Sequence, residues 1–313
     1  MRRKTKIILI ILGILVVLCA LGAIALLKSS TPNAESRRIN LPEGTSFEAL
    51  CDSLDASATF RFMANILGLD ERVRPGSYIV DPHMNELSLV RKLRNGQQDP
   101  IRLTIGKFRT PQQLNEYLNS KLMHNDFNVP LDSFYLILQD TYEFFWTVTP
   151  QQFMQRMEKE FNDYCHRQSD HPRFTIEEMI ILASIVEEET NNNAEKPLIA
   201  SVYLNRLERG MPLQADPTVK YAVGDFTLKR ILNKHLAVES PFNTYLHTGL
   251  PPAPICLPSK SSIEALLQVP FTNYLYFCAS PEMDGTHRFA ATLAEHNRNA
   301  AAFHSALNKR GIR

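Results

Sequence analysis

The sequence predicts an α+β protein with an N-terminal transmembrane helix, a small α+β subdomain and a larger mixed α+β domain. Three observations lead there. Ile7 to Leu27 is a run of 21 residues without a charge, about the 20 that cross a bilayer core as a helix. After it, short stretches of helical periodicity alternate with short strand-like segments bounded by Pro, Gly and Asn. With 44% apolar and 21% charged residues over 313 positions, the chain can build a packed core and is neither disordered nor collagenous.

Charge sets the orientation of the first element. Arg2, Arg3, Lys4 and Lys6 precede the apolar run and one lysine, Lys28, follows it, so residues 1–6 are expected to stay in the cytoplasm and everything beyond 27 to be exported. Ala23-Ile24-Ala25 has the small-x-small form of a signal-peptide cleavage site, but Leu26 and Leu27 continue the apolar run past it, which favours an uncleaved anchor. Cys19 follows a bulky Leu18 and lies inside the run, a setting for a buried thiol rather than a lipidated one. Five of the 34 Lys and Arg and none of the 33 Asp and Glu lie in the first 28 residues. The remainder is therefore net acidic and has no long basic run, which argues against nucleic acid as a partner. Cys51, Cys165, Cys256 and Cys278 are widely and irregularly spaced. That pattern suggests neither a zinc ribbon nor a redox motif, and export permits a disulfide without requiring one.

Residues 28–38 are polar with a proline and read as a linker. The small subdomain is expected over 39–105. Order begins near Ile39, and Thr45 with Glu48 forms a capping-box pattern before a helix through Phe47, Leu50, Cys51 and Leu54. A second amphipathic stretch covers about 59–67, and Gly76 to Val80 has strand composition. A helix through Leu87, Leu89, Val90 and Leu93 stops at Asn95-Gly96, before a strand at 101–105.

The larger domain, 106–313, opens with a helix at Pro111 over Leu114, Tyr117, Leu118 and Leu122. A longer helix from Pro150 to about His166 aligns Phe153, Met157, Phe161 and Tyr164 on one face. Between them, Asp140 to Val148 is aromatic and holds the single tryptophan. Core packing is the commoner role for such a cluster, a substrate platform the alternative.

Thr175 and Glu178 form a second capping box, and Ile176 to Val186 is apolar enough to be buried around most of its circumference. The helix ends in Glu187-Glu188-Glu189-Thr190. Three successive glutamates are ordinarily a solvated helix end, although the dipole disfavours negative charge there. Helical offsets of three, four and seven residues separate them: before Glu189 lie Val186, Ile185 and Leu182, whereas those offsets from Glu187 and Glu188 meet Ser184. Only Glu189 continues a fully apolar stripe. A carboxyl against an apolar wall has a raised pKa and can stay protonated near neutrality, as a general acid must. Downstream, Leu213 to Thr218 and Pro241 to Pro252 mix amides, hydroxyls and aromatics with turn residues, a composition suited to a polar sugar-binding cleft or to ordinary structured turns. No H-E-x-x-H, G-x-S-x-G, Walker A or G-x-G-x-x-G pattern occurs, and the nine histidines are not spaced as metal ligands.

Ala183-Ser-Ile-Val-Glu-Glu-Glu-Thr190, Ala200-Ser-Val-Tyr-Leu-Asn-Arg-Leu207, Leu213-Gln-Ala-Asp-Pro-Thr-Val219, Asn243-Thr-Tyr245, Thr248 to Pro252, Tyr274 to Phe277 and His296-Asn297 together resemble the YceG-like endolytic murein transglycosylases, the MltG family. The resemblance extends to Val73 to Tyr78 and Asp140 to Tyr142. It implies that 39–105 is similar to a LysM peptidoglycan-binding module and that 106–313 is the catalytic domain. It places the catalytic residue on Glu189, the glutamate directly before threonine. Where the family usually has lysine this chain has Glu188, and Gly106 to Arg109 and Gln139 also depart from the commoner pattern. The resemblance implies lytic cleavage of the MurNAc-GlcNAc bond in nascent glycan strands to 1,6-anhydro-MurNAc ends. Glu189 would act alone as acid and base, with no metal or organic cofactor. Gln214, Asp216, Thr218, Asn243, Tyr245 and Asn297 are the candidates for binding the sugars. The expected location is the bacterial cytoplasmic membrane, with the catalytic domain outside and peptidoglycan synthases and the elongation machinery as partners. A hydrolytic muramidase and a non-catalytic glycan-binding scaffold are the rivals.

Overall fold

The computed structural model describes residues 11–13, 35–165, 174–228 and 230–310. The expected membrane span at 7–27 lies outside the described residues except for 11–13, and among the described residues no helix is long and apolar enough to cross a membrane.

The smaller unit begins as strand, helix, helix, strand. β1 (Arg37–Leu41), α1 (Phe47–Leu54), α2 (Ala58–Leu67), β2 (Gly76–Val80) and α3 (Glu86–Asn95) follow in order, with β1 antiparallel to β2 so that Ile39 faces Tyr78. The apolar side chains predicted on each helix meet here: Leu50, Cys51, Phe60, Met63, Leu69, Tyr78, Val90 and Leu93 are all buried in one core. Each buried Leu or Phe side chain contributes about 1.5–3 kcal/mol of transfer free energy. Gly76 is required by close approach, since a Cβ there would meet Cγ of Gln98 at 2.5 Å. The capping box expected at Thr45 does not form. Ser46 is the N-cap, accepting from Ala49 N at 3.2 Å, while Thr45 donates its hydroxyl to Pro42 O at 2.7 Å in the preceding turn.

β3 (Ile101–Ile105) and β4 (Asp140–Phe144) form a second two-stranded ladder, and the division between the units falls within both strands. The smaller unit therefore does not simply end near 105; it also takes 121–125 and 143–149. Within it, Met123 N donates to Trp146 O at 2.9 Å and Gln98 Nε2 to Thr147 Oγ1 at 3.0 Å. Tyr142, Phe144 and Val148 are buried, so the alternating residues of the aromatic stretch serve the core.

The larger unit contains α4 (Pro111–Lys121, its last residue counted with the smaller unit), α5 (Leu131–Phe134), α6 (Pro150–Cys165), α7 (Ile176–Glu189), α8 (Lys196–Glu208), α9 (Asp216–Val223), α10 (Asn233–Leu236) and α11 (Lys260–Leu267). The hairpin β5 (Tyr276–Ala279) and β6 (His287–Ala290) and the helix α12 (Leu293–Lys309) complete it. All four predicted face residues of α6 are buried. α7 is the central element: Met179 to Glu187 is buried without a break, and α8, α9 and α11 pack around it. Its N-terminus carries the expected capping box, Thr175 N donating to Glu178 Oε2 at 2.8 Å and Glu178 N to Thr175 Oγ1 at 3.2 Å. The four cysteines 51, 165, 256 and 278 are free thiols.

Candidate active site

The functional geometry grows from the end of α7. Successive residues of a helix point about 100° apart, and the three glutamates use that rotation to meet three different partner sets. Glu187 is 9% exposed. Its Oε2 accepts from Lys196 Nζ at 3.1 Å and from the hydroxyls of Ser259 and Ser262, each at 2.5 Å. Burial alone would raise its pKa, but these donors and the lysine charge together hold it below the ordinary carboxylate range. Glu188 pairs with Arg109 at 3.0 Å and Lys107 at 3.7 Å. Arg109 also lies over the Phe226 ring at 5.3 Å. A solvated acidic helix end is therefore not what forms. Where two carboxylates are compensated by cations, the unfavourable helix dipole is offset locally.

Glu189 meets a phenol instead. It is half-buried and accepts a hydrogen bond from the Tyr203 hydroxyl at 2.5 Å. Burial pushes its carboxyl up to about 7; the Tyr203 bond opposes this, and the charges of Asp216 and Glu188 add to it. The acidic neighbour at 188 thus raises the Glu189 carboxyl, but behind burial and behind Asp216, because Arg109 and Lys107 pair with it.

Glu189 and Tyr203 line a cavity of about 330 Å³ together with Arg206, Gln214, Asp216, Tyr245, Tyr276 and His296, among others. Each wall has a local reason for its position. Tyr203 and Arg206 follow Ile199 at helical spacing on α8. Arg206 ties the helix to both neighbouring loops, donating to Leu275 O at 2.7 Å, Leu213 O at 2.9 Å and Gln214 Oε1 at 3.2 Å. Gln214 has φ 50, a left-handed conformation that a side chain tolerates only when its surroundings fix it. Here Arg206 holds its side chain, and its backbone N donates to Thr244 O at 3.1 Å. Asp216 opens α9, where the helix N-terminus favours a carboxylate, and accepts from the Tyr245 hydroxyl at 2.7 Å. His296 stacks on Tyr276 at 5.4 Å and 27°. Burial and the charge of Arg206 pull the imidazole below its usual range, so it is neutral at pH 7.

Of the predicted binding residues, Gln214, Asp216 and Tyr245 line this cavity with Glu189. Thr218 and Asn243 are fully buried behind it. Thr218 Oγ1 donates to Ala215 O at 2.7 Å and shares a hydrogen bond with Thr244 Oγ1 at 2.8 Å. Asn243 Nδ2 donates to Leu236 O at 3.0 Å and Val238 O at 2.8 Å. Both side chains brace the loops that carry Gln214, Asp216 and Tyr245. Asn297 is exposed on α12, and its neighbour His296 lines the cavity instead. Tyr203, Arg206, Tyr276 and His296 lie in segments that carry the family resemblance but are not among the candidate site residues read from the sequence. A buried arginine on the apolar stripe Ile199-Tyr203-Arg206 was the available signal, since such a charge needs partners nearby. Two of the three departures from the family pattern, the Gly106 to Arg109 segment and Gln139, meet at Leu257: its N donates to Phe108 O at 2.8 Å, and its carbonyl accepts from Gln139 Nε2 at 2.6 Å. Among the described residues no group of three or more His, Cys, Asp or Glu is arranged to hold a metal ion.

The crystal structure of a YceG-like protein from Listeria monocytogenes superposes with a TM-score of 0.53 at 28% identity, covering 84% of this chain and 98% of that one. The endolytic murein transglycosylase of Bacillus subtilis is 43% identical over 138 residues, 44% of this chain and 38% of the relative. That of Streptococcus pneumoniae is 35% identical over 131 residues, 41% of this chain and 24% of the relative. The chain therefore matches well under half the length of these curated relatives. The model of the YceG-like family matches residues 39–302, which includes every side chain of the cavity, and the chain belongs to that family.

Proposed function

We propose that this protein is an endolytic peptidoglycan lytic transglycosylase in which Glu189 is the sole general acid and base. The observation that carries this reading is one half-buried carboxyl, with a pKa of about 7, in a polar and aromatic cavity. At that pKa a substantial fraction is protonated at neutral pH and can still act as a base afterwards. Protonated Glu189 gives its proton to the bridging oxygen of the MurNAc-GlcNAc bond as the C1–O bond breaks. The sugar's own 6-hydroxyl then attacks C1 and returns a proton to Glu189, closing a 1,6-anhydro ring. Because the nucleophile belongs to the substrate, its proximity replaces a bound water and a second carboxylate. Gln214, Asp216 and Tyr245 bind the sugars, and the tyrosines supply faces for their apolar sides.

In this reading residues 7–27 anchor the chain in the cytoplasmic membrane with the catalytic domain outside. The βααβ arrangement of β1 to β2 supports a LysM-like role in holding glycan, and peptidoglycan synthases with the elongation machinery are the partners that would supply nascent strands. The presence of Asp216 in the same cavity favours one second reading, a hydrolytic muramidase in which this carboxylate activates water.

Mass spectrometry of muropeptides released from purified sacculi tests both. Anhydro ends, lost about 10²- to 10⁴-fold or more in Glu189→Gln, are the expected result. Reducing ends would establish the muramidase, and no release by the unaltered protein would leave a glycan-binding scaffold. Glu187→Gln inactive with Glu189→Gln active would assign the chemistry to Glu187 and overturn this reading.

A further inference from the structure

The acid/base carboxyl of Glu189 has two oxygens in different surroundings. We propose that Tyr203 is a positioning residue that occupies Oε1 of Glu189 throughout the reaction, so that Oε2 alone gives and takes the proton. This rests on the assignment of Glu189 as acid and base.

The geometry begins with the 2.5 Å bond from the Tyr203 hydroxyl to Oε1. Among the described residues Tyr203 is the one hydrogen-bond donor to this carboxyl. The other strong donors of the cavity are committed elsewhere: Tyr245 donates to Asp216, and Arg206 to the carbonyls of Leu275, Pro212 and Leu213 and to Gln214. Oε2 is thus left to the substrate. Tyr203 is also held still. Its residue is 2% exposed, and its ring meets Phe277 edge-on at 5.9 Å. At the start of the same helix Glu195 accepts from His287 N at 2.8 Å, tying α8 to the hairpin. Glu189 needs such a restraint, because it is the last residue of α7 and its side chain is long enough to offer either oxygen.

The phenol is suited to both halves of the reaction. Burial, followed by the negative charge of Glu189, keeps its own pKa far above the phenol range, so it remains a donor. In the first half the proton leaves Oε2 for the bridging oxygen as the C1–O bond breaks, and Tyr203 stabilises the carboxylate that forms. In the second half the 6-hydroxyl bonds to C1 and its proton returns to Oε2. No other reactant is needed. The charged groups that line the cavity with the carboxyl are Asp216 on α9 and Arg206 on α8, and the charge of Glu188 acts on it from α7 itself although that side chain pairs with Arg109 and Lys107; Tyr245 and His296 line the cavity in neutral form.

The test is the pH profile of anhydro-end formation by the full chain, with Glu189→Gln run in parallel. Tyr203→Phe keeps the ring packing and removes the donor. The rate is expected to fall roughly 10- to 100-fold with little change in KM. The alkaline limb should move up by about one pH unit, because a hydrogen bond to the charged form has been lost. Incorporation of 3-fluorotyrosine at 203, a stronger donor, should move the limb down, and this second measurement stands if the Phe variant folds poorly. A limb that stays in place in both proteins while Glu189→Gln is inactive would overturn the role of Tyr203 and leave the carboxyl assignment intact. An active Glu189→Gln would instead remove the reading on which the inference rests.

Discussion

Replacing Lys196 by Met should destabilise the larger unit strongly and in a pH-dependent way. Lys196 and Glu187 are 3% and 9% exposed and 3.1 Å apart. Breaking a buried ion pair by removing one partner leaves an uncompensated charge, at a loss of about 3–5 kcal/mol. Glu187 would keep the two hydroxyl donors of Ser259 and Ser262 at 2.5 Å, so the expected loss is at the lower end, about 3 kcal/mol. In a domain of ordinary size that lowers Tm by roughly 6–12 °C. The sign of the pH dependence follows from the depressed pKa of Glu187 in the folded protein. Its contribution is fully present above the unfolded carboxyl pKa, about 4.3, and is lost as pH falls through the lower folded value. Without Lys196 that depression shrinks, so the gap between wild type and Lys196→Met should be widest at pH 7 and narrow as pH falls below about 4.3. The double variant Lys196→Met with Glu187→Leu should recover much of the loss, since apolar replacement of a whole pair is often neutral or stabilising. Thermal melts from about pH 3 to 8 on the three proteins provide the measurement. An equal loss at every pH, or none at pH 7, would show that the pair is hydrated and that this account of the helix end is wrong.

Glu189 should behave in the opposite sense. Its folded pKa is raised to about 7, so the folded state holds a proton that the unfolded state has released between about pH 4.3 and 7, and stability falls across that window. Glu189→Gln should therefore melt higher than wild type at pH 8 and equally at pH 4; no gain at pH 8 would contradict the raised value. Glu188→Gln removes one charge that raises the pKa of Glu189, so the alkaline limb of activity should shift slightly down; an upward shift would contradict that sign. A chain cut to 106–313 strands residues 121–125 and 143–149, including the Gln98–Thr147 bond, and should melt below the full chain; an unchanged melt would assign those segments to the larger unit. The intact protein should fractionate with membranes, and a mature N-terminus at Leu26 would show cleavage in place of anchoring.

The elements that were legible from sequence are those specified by local chemistry. The helices at Pro111, Pro150 and Thr175 start where their caps and prolines put them, and α6 buries the four side chains that periodicity aligned. Capping failed at Thr45 because two adjacent hydroxyls, Thr45 and Ser46, compete for the same helix start, and the turn at Pro42 takes the first. The boundary at 105 was drawn along the chain, whereas the division passes through both β3 and β4, strands 35 residues apart in sequence.

The candidate site divides in the same way. One helix and its spacing suffice to separate Glu189 from its neighbours, because the apolar stripe is a property of a single element. Burial is not such a property. By exposure Glu187 is the more deeply enclosed carboxylate, and its pKa falls only because Lys196, Ser259 and Ser262 arrive from other parts of the chain. The partners of the three carboxyls are contributed from 9 residues away, Lys196 for Glu187, to 81, Lys107 for Glu188, and a hydroxyl or cation so distant carries no mark of where it will point. Residue types and local periodicity decided which carboxyl could be an acid. Which donors surround it, and hence which protonation state each glutamate holds, is decided by packing, because desolvation and hydrogen bonding act through space rather than along the chain.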